Sequence, residues 1–499
     1  MAGASSSFFS NFLKKYFPYI VIFLLALYMP VDTDLGWHIR YGEYFFKTGQ
    51  ILRENIFSLA MAGYRWTNSS WLTDIITYSI FSRWGFLGLA IAGGLLTVLT
   101  FYLIDRALKL SFWQKAFIFP LIFYLMEPLI KVSFRGQLIS QVFTACLIYI
   151  ISKFQSGNKK IIYLAIPLFL IWGNLHGGFL LGLALLSMYY FLKQIKLICM
   201  KRKAELSHNL RYLPAVVFSW TVALINPWGF EVYREVIRHF GNPYQKYIIE
   251  WLPLPAFSNY WWLLIFWGIF IIFNINIIIS KRRTSDYFEW MVMLAVMYFL
   301  SHWMRRYAWT MYLISVPVTC VYFEEINPQR TNFAKKAVPL IIFFSLYLYS
   351  VFYQIPRLRP TAMNWDRFCE EAVKCSAKSA EFLKENKFPG KFLSNYNWGG
   401  WLIWNYPEIV PSIDGRMHLW RNKDGYSAFA EYYFLEQNVN DIDKSDYDVV
   451  YMSTGKPMHQ RLIELVNEGR WKVVYGDKYA GIFVRVTGTT EARSGNTRE

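Results

Sequence analysis

The chain has 499 residues, 55% of them hydrophobic and only 17% charged, which excludes an ordinary water-soluble globular protein. Its formal net charge is +18, yet from residue 356 onward 20 Lys and Arg stand against 19 Asp and Glu, so the excess lies in the preceding part. No basic patch on a soluble module remains for nucleic acid, which is excluded as a partner.

In chain order, residues 10–30 carry Lys14 and Lys15 before an apolar run, and Val31-Asp32-Thr33-Asp34 follows without an A-x-A cleavage pattern. The run reads as a retained first span. Stretches apolar enough to cross about 30 Å of hydrocarbon as helices fall at 17–31, 84–104, 112–130, 137–152, 160–174, 178–195, 211–226, 260–279, 287–303, 307–323 and 336–354. That makes about eleven spans. The hairpin over 161–192 is broken at Asn174-Leu175-His176-Gly177-Gly178. With the N-terminus in the cytoplasm, alternation puts the basic loops 106–115, 153–160, 193–211, 281–283 and 330–336 on one side. An odd number of spans puts the C-terminal segment on the other. The expectation is a multi-pass plasma (inner) membrane protein. A transmembrane part covers 1–355, with a first outer loop over about 32–83. An extracytoplasmic soluble α/β domain covers 356–490, and a disordered tail covers 491–499.

Within the soluble domain, 365–386 is helical in pattern, strand-like runs lie at 391–394, 409–413, 448–452, 471–475 and 481–486, and helical stretches lie around 424–437 and 457–468. The alternation predicts a layered domain with a largely parallel sheet. Cys146, Cys199 and Cys320 lie in apolar runs and read as small core residues, whereas Cys369 and Cys375 can pair if their domain is extracytoplasmic.

Chemistry gathers at the outer ends of the spans. Asp32 and Asp34 directly follow the first span. A carboxylate there can serve as a general base or hold a divalent cation. The alternative is a helix-ending turn with solvated acids. His38 follows in the same loop, with Arg40, Glu43, Glu54 and Asp74. Lys131 and Arg135, His176, and His302 with Arg305 and Arg306 lie in later outer turns. The Lys and Arg residues among them run against the positive-inside bias, and a lipid phosphate supplies a local reason, because guanidinium binds phosphate bidentately. The alternative is snorkelling to headgroups. A site for an anionic lipid substrate accounts for these signals together. In the soluble domain Asp414 and Arg416 can bind sugar hydroxyls, or form an internal ion pair in a tight turn.

The motifs Asp32-Thr33-Asp34-Leu35-Gly36-Trp37-His38, Gly63-Tyr64-Arg65-Trp66 with Trp71-Leu72, Trp172-Gly173-Asn174-Leu175-His176-Gly177-Gly178, Asn226-Pro227-Trp228-Gly229, Tyr396-Asn397-Trp398-Gly399-Gly400-Trp401-Leu402 and Ile413-Asp414-Gly415-Arg416 together resemble the GT-C glycosyltransferases. These are membrane enzymes that use polyprenyl-phosphate-linked sugars, and the chain is most similar to a prokaryotic branch of them. The resemblance implies a GT-C-like helical membrane fold and inverting transfer from a polyprenyl-phosphate-linked donor to a lipid, glycan or protein acceptor. Asp34 is the first choice for base, with Asp32 as alternate or metal ligand. Arg135, Arg305 and Arg306 fall where lipid-phosphate contacts are expected, with His38, His176 and His302 beside them. That branch often reads Arg-Pro-Gln where this chain has Arg135-Gly136-Gln137. A lipid-linked-sugar flippase and a non-catalytic subunit of a glycan assembly machine are the rival readings. Sugar, acceptor, metal dependence and oligomeric state are not legible in the sequence.

Overall fold

The computed structural model describes residues 12, 14–239, 242–325, 332–358 and 363–486. Arg330 of the last basic loop and the tail from residue 487 lie outside the described residues. The chain divides into two compact units. One holds Met1–Pro30, Ser69–Thr73 and Arg83–Pro360; the other holds Val31–Asn68, Asp74–Ser82 and the described residues from 363 on. Most of the stretch over 32–83 therefore folds in the same unit as the C-terminal segment.

The first unit is helical. Phe17–Leu25, the part of Trp71–Leu108 from Arg83 on, Phe112–Ile130, Gly136–Gln155, Ala165–Leu175, Phe179–Cys199, Leu213–Val222, Asn259–Ser280, Thr284–Trp303, Ala308–Glu325 and Asn332–Tyr349 each lie over a predicted apolar stretch. Among the described residues five segments are long and apolar enough to cross a membrane: Trp71–Leu108, Gly136–Gln155, Phe179–Cys199, Asn259–Ser280 and Ala337–Leu358. Trp71–Leu108 spans 38 residues because two helices meet at Gly85, whose φ of 56° and ψ of −150° break the helical path. Side-chain caps mark the starts of other helices. Ser111 and Gln114 form a capping box before Phe112–Ile130, and the Ser258 hydroxyl accepts the Trp261 N–H.

Charges buried among these helices are paired, as a medium of low dielectric requires. Lys115 meets Asp105 at 2.6 Å, and Lys196 meets the fully buried Glu289 at 2.7 Å. Lys131, one of the basics that run against the bias, pairs with Glu127 at 2.9 Å.

The second unit is built on four strands: β1 (Phe392–Ser394), β2 (Val449–Ser453), β3 (Trp471–Gly476) and β4 (Ala480–Arg485), in the order β1-β2-β4-β3. Only β1 and β2 run parallel; β2–β4 and β3–β4 are antiparallel. This corrects the largely parallel sheet expected from the alternation. β3 and β4 are joined by three residues, 477–479, too few for a crossover, so the pair must be a hairpin. Asp477 shapes that turn by accepting from the Tyr479 and Ala480 N–H groups. The predicted strand over 409–413 is absent too. Pro411 has no N–H to donate to a ladder, and Ser394 and Ser412 join the two segments through their hydroxyls instead.

The predicted helix over 365–386 is interrupted. Trp365–Phe368 runs into a π-turn, Cys369–Val373, and Lys374 turns with φ 61°. Ser376 then caps Ala377–Glu385. A disulfide joins Cys369 to Cys375 across this break.

Candidate functional site

In the second unit, Asp32 and Asp34 form one local turn. The Asp32 carboxylate accepts the Asp34 N–H at 3.0 Å, and the Asp34 carbonyl accepts the Trp37 and His38 N–H groups at the start of helix Leu35–Thr48. Asp32 is buried, with 7% of its surface exposed, and Asp34 is half-buried. Three glycines admit this turn. A Cβ on Gly36 would collide with the Gly400 carbonyl, one on Gly400 with the Thr33 carbonyl, and one on Gly415 with the Asp34 carboxylate. The Asp-Thr-Asp motif thus lies backbone to backbone against the two glycine motifs of the C-terminal segment. Arg40 secures the same face by donating to the Ile403 and Trp404 carbonyls, at 3.1 and 2.9 Å, at the end of helix Gly399–Asn405.

His38 is tied to Asp74 at 2.6 Å, and Asn68 donates to the other Asp74 oxygen, also at 2.6 Å. Burial pulls the His38 imidazole down, but the Asp74 carboxylate, with Asp32 and Asp34 behind it, carries it above its ordinary range. Trp37 stacks on the same ring at 3.6 Å.

Asp414 and Arg416 are buried and spent on each other. Arg416 donates from Nε and Nη2 to the two Asp414 oxygens at 2.8 and 2.7 Å. Ser58 also donates to Asp414, and Asn55 accepts from Arg416 at 2.9 Å. Trp37, Phe57, Trp66 and Trp420 surround the guanidinium, with ring centroids 5.1 to 6.0 Å away. Burial raises the Asp414 carboxyl, but Arg416 beside it outweighs that and holds it below its ordinary range. The geometry is that of the internal ion pair, the alternative to sugar contact.

In the first unit a cavity of about 350 Å³ opens among helices Gly136–Gln155, Phe179–Cys199 and the turn before Ala308–Glu325. His176, His239 and Arg306 supply its basic groups, Gln137, Ser140 and Thr310 its polar ones, and Trp172, Leu180, Leu181 and Trp309 apolar walls. None of the lining residues is a carboxylate. The breaks in the sequence built it. Asn174 donates to the Leu170 and Ile225 carbonyls and accepts from the Trp71 indole, drawing three motifs together. The Trp172 indole donates to the Ser140 hydroxyl at 2.8 Å, and Ser140 lies 2.7 Å from His176 Nδ1, which also accepts the Gly178 N–H at 3.1 Å. Nδ1 is thereby an acceptor, which leaves the ring N–H on Nε2. Gly136, which replaces the proline of the resembling branch, leaves room for this ring, since a Cβ there would come 2.5 Å from His176 Cδ2.

Of the predicted phosphate contacts, His176 and Arg306 line the cavity; Arg135, His302 and Arg305 do not. Arg135 is the half-buried residue flanking the start of Gly136–Gln155. His302 donates back to the Tyr298 carbonyl of its own helix at 3.0 Å. Arg305 holds the Leu252 and Pro253 carbonyls at 3.4 and 3.2 Å. The sequence reading missed His239, which follows the short amphipathic helix Glu231–Arg238 and rests on Trp251, as does Arg306. The alternation of Glu231, Arg234, Glu235 and Arg238 with Val232, Tyr233 and Val236 was its signal. Asp74 was noted only as a loop acid, and Ser140 carried no signal. Among the described residues no group of three or more His, Cys, Asp or Glu side chains is arranged to hold a metal ion. Two carboxylates such as Asp32 and Asp34 can hold a hard cation only together with further oxygens, for instance from a substrate phosphate.

Solved structures share the fold. ArnT from Cupriavidus metallidurans in the apo state superposes with a TM-score of 0.55 at 11% identity, covering 97% of this chain and 99% of that one. ArnT bound to undecaprenyl phosphate gives 0.51 at 11%, covering 94% and 97%. The Archaeoglobus fulgidus oligosaccharyltransferase in the apo form gives 0.51 at 11%, covering 90% and 70%. No family model and no curated protein matches the sequence. At this identity the likeness is one of fold.

Proposed function

We propose, from the premise that the chain has the GT-C fold, that it is a membrane glycosyltransferase drawing its sugar from a polyprenyl-phosphate-linked donor. The observation that carries this reading is the cavity with His176, His239 and Arg306 among apolar walls and no carboxylate, which suits a phosphate joined to a hydrocarbon chain. That a solved ArnT holds undecaprenyl phosphate supports it. An acceptor hydroxyl or amine attacks the anomeric carbon, the bond from that carbon to the phosphate oxygen breaks, and configuration inverts. Asp34 is the group we assign to the acceptor proton, and Arg306, with an N–H from His176, stabilises the departing phosphate. About eleven crossings, with the C-terminal domain outside, complete the proposal.

The test is transfer of sugar from a polyprenyl-phosphate donor by purified protein. Transfer establishes the activity; donor binding without transfer, across acceptors of all three classes, sinks it. Two variants probe the parts. Gln places a donor where His176 has Nε2, and Asn places one where it has Nδ1. His176→Gln is therefore expected to keep undecaprenyl phosphate binding within a few-fold, whereas His176→Asn weakens it roughly ten- to hundred-fold, the worth of a hydrogen bond to a charged group. Titration of the lipid against each variant decides. Gly415→Ala pushes on the Asp34 carboxylate. It is expected to lower the transfer rate about 10²-fold with a small change in thermal unfolding, because the obstructing atom ends a movable side chain. Equal loss of stability and rate would count against a placement effect.

A further inference from the structure

Lys193 lies about four turns along helix Phe179–Cys199 from the cavity end, among the basic loops. Its Nζ is 4.9 Å from the Phe154 ring centroid and 6.0 Å from that of Tyr189. Lys159 Nζ is 4.7 Å from the same Phe154 ring and donates to the Phe154 carbonyl at 2.8 Å. Two ammonium groups therefore share one ring, and at that range like charges repel strongly in a medium of low dielectric. Neither has a carboxylate within 4.0 Å among the described residues. The acids that act on them from farther away, Glu289 on Lys193 and Glu205 on Lys159, are paired with Lys196 and Arg202. The Tyr189 hydroxyl and both ends of the Gln194 amide are buried without a hydrogen-bond partner among the described residues. Beside this cluster Tyr163 and Leu164, on the turn that carries Lys159, are 41% and 53% exposed, and Tyr212 packs on both Phe154 and Tyr163.

A pair of cations without a counter-ion, beside exposed apolar surface, suits an anion with a hydrocarbon tail. We propose that Lys159 and Lys193 bind the phosphate of an anionic membrane lipid in the leaflet at the basic-loop end, with its acyl chains against Tyr163 and Leu164. This site is separate from the cavity and stands whether or not the chain transfers sugar. Phosphate between the two ammonium groups relieves their repulsion, and the aromatic rings beneath exclude water.

The test is native mass spectrometry of the detergent-purified protein titrated with phosphatidylglycerol and with chain-matched phosphatidylcholine. Wild type is expected to take its first phosphatidylglycerol more tightly. K159Q/K193Q is expected to weaken that binding roughly thirty-fold, two charges at about 1 kcal/mol each, while K159R/K193R preserves it. Equal affinity for the two lipids in wild type, or equal phosphatidylglycerol affinity in wild type and K159Q/K193Q, overturns the site. Should the Gln variant not fold, the lipid comparison in wild type and the Arg variant decide alone. Inorganic phosphate is the third probe: weak competition supports a lipid headgroup, whereas binding as tight as that of the lipid assigns the site to free phosphate and overturns the lipid claim.

Discussion

Asp34→Asn is expected to lower sugar transfer by about 10²- to 10⁴-fold, the usual worth of a positioned general base, in a protein that still folds and still binds the lipid phosphate. Asn matches Asp in shape, so the turn before helix Leu35–Thr48 and the fit against Gly415 survive. What is lost is the capacity to take a proton. Asp32→Asn is the internal comparison. Asp32 is the more buried of the two, and its carboxylate accepts the Asp34 N–H at 3.0 Å, a role an amide oxygen can keep. It should therefore retain most of the rate, whereas Asp32→Ala releases the turn and loses rate through Asp34. Initial rates of the three variants beside wild type decide the matter. Full activity in Asp34→Asn removes Asp34 from the chemistry, and a larger loss in Asp32→Asn than in Asp34→Asn exchanges their roles.

Arg416→Met or Asp414→Asn is expected to cost about 3–5 kcal/mol, the penalty for leaving one member of a buried pair without the other. In a domain of 150–250 residues that lowers the unfolding temperature by roughly 6–20 °C. The cost is high because the pair is fully enclosed. Asp414 accepts from Arg416 and Ser58, and Arg416 donates to Asn55 as well. Asn55 in turn donates to the Ser58, Ala60 and Met61 carbonyls, so breaking the pair loosens the whole loop. Replacing both residues with apolar ones of similar size is expected to cost less than either single change. The pair also gives a pH signature. The folded Asp414 carboxyl is held below its ordinary range, so its contribution is fully present above an unfolded pKa of about 3.9 and is lost as pH falls through the lower folded value. Thermal unfolding of wild type should lose stability in that acid window, and Asp414→Asn should lack that component. Parallel curves for the two proteins would mean that Asp414 carries no net charge interaction.

What was legible in the sequence is what depends on neighbours along the chain. Apolar runs mark helices because burial and backbone pairing act within one segment, and each predicted stretch carries one. The break at Asn174-Leu175-His176-Gly177-Gly178 was visible for the same reason, since glycine after a helix end is a local signal. The glycine motifs at 399–400 and 415 were legible as motifs of the resemblance, and a glycine is where a backbone can come close to a neighbour. What comes close, the Asp-Thr-Asp turn, lies more than 360 residues earlier and was settled by packing alone.

The tertiary structure decided the partners. His302 and His176 look alike in sequence, but only His176 meets a serine and a glycine N–H that set its tautomer, while His302 bonds its own helix. Asp414 and Arg416 read in sequence as a sugar contact or, with slightly more weight, as an internal pair, and Ser58, Asn55 and four aromatic rings enclose that pair. Strand direction failed for a related reason. A run of β-branched residues states that a strand exists, whereas its direction follows from the length of the connection and from which edge remains open, and these are properties of the assembled sheet.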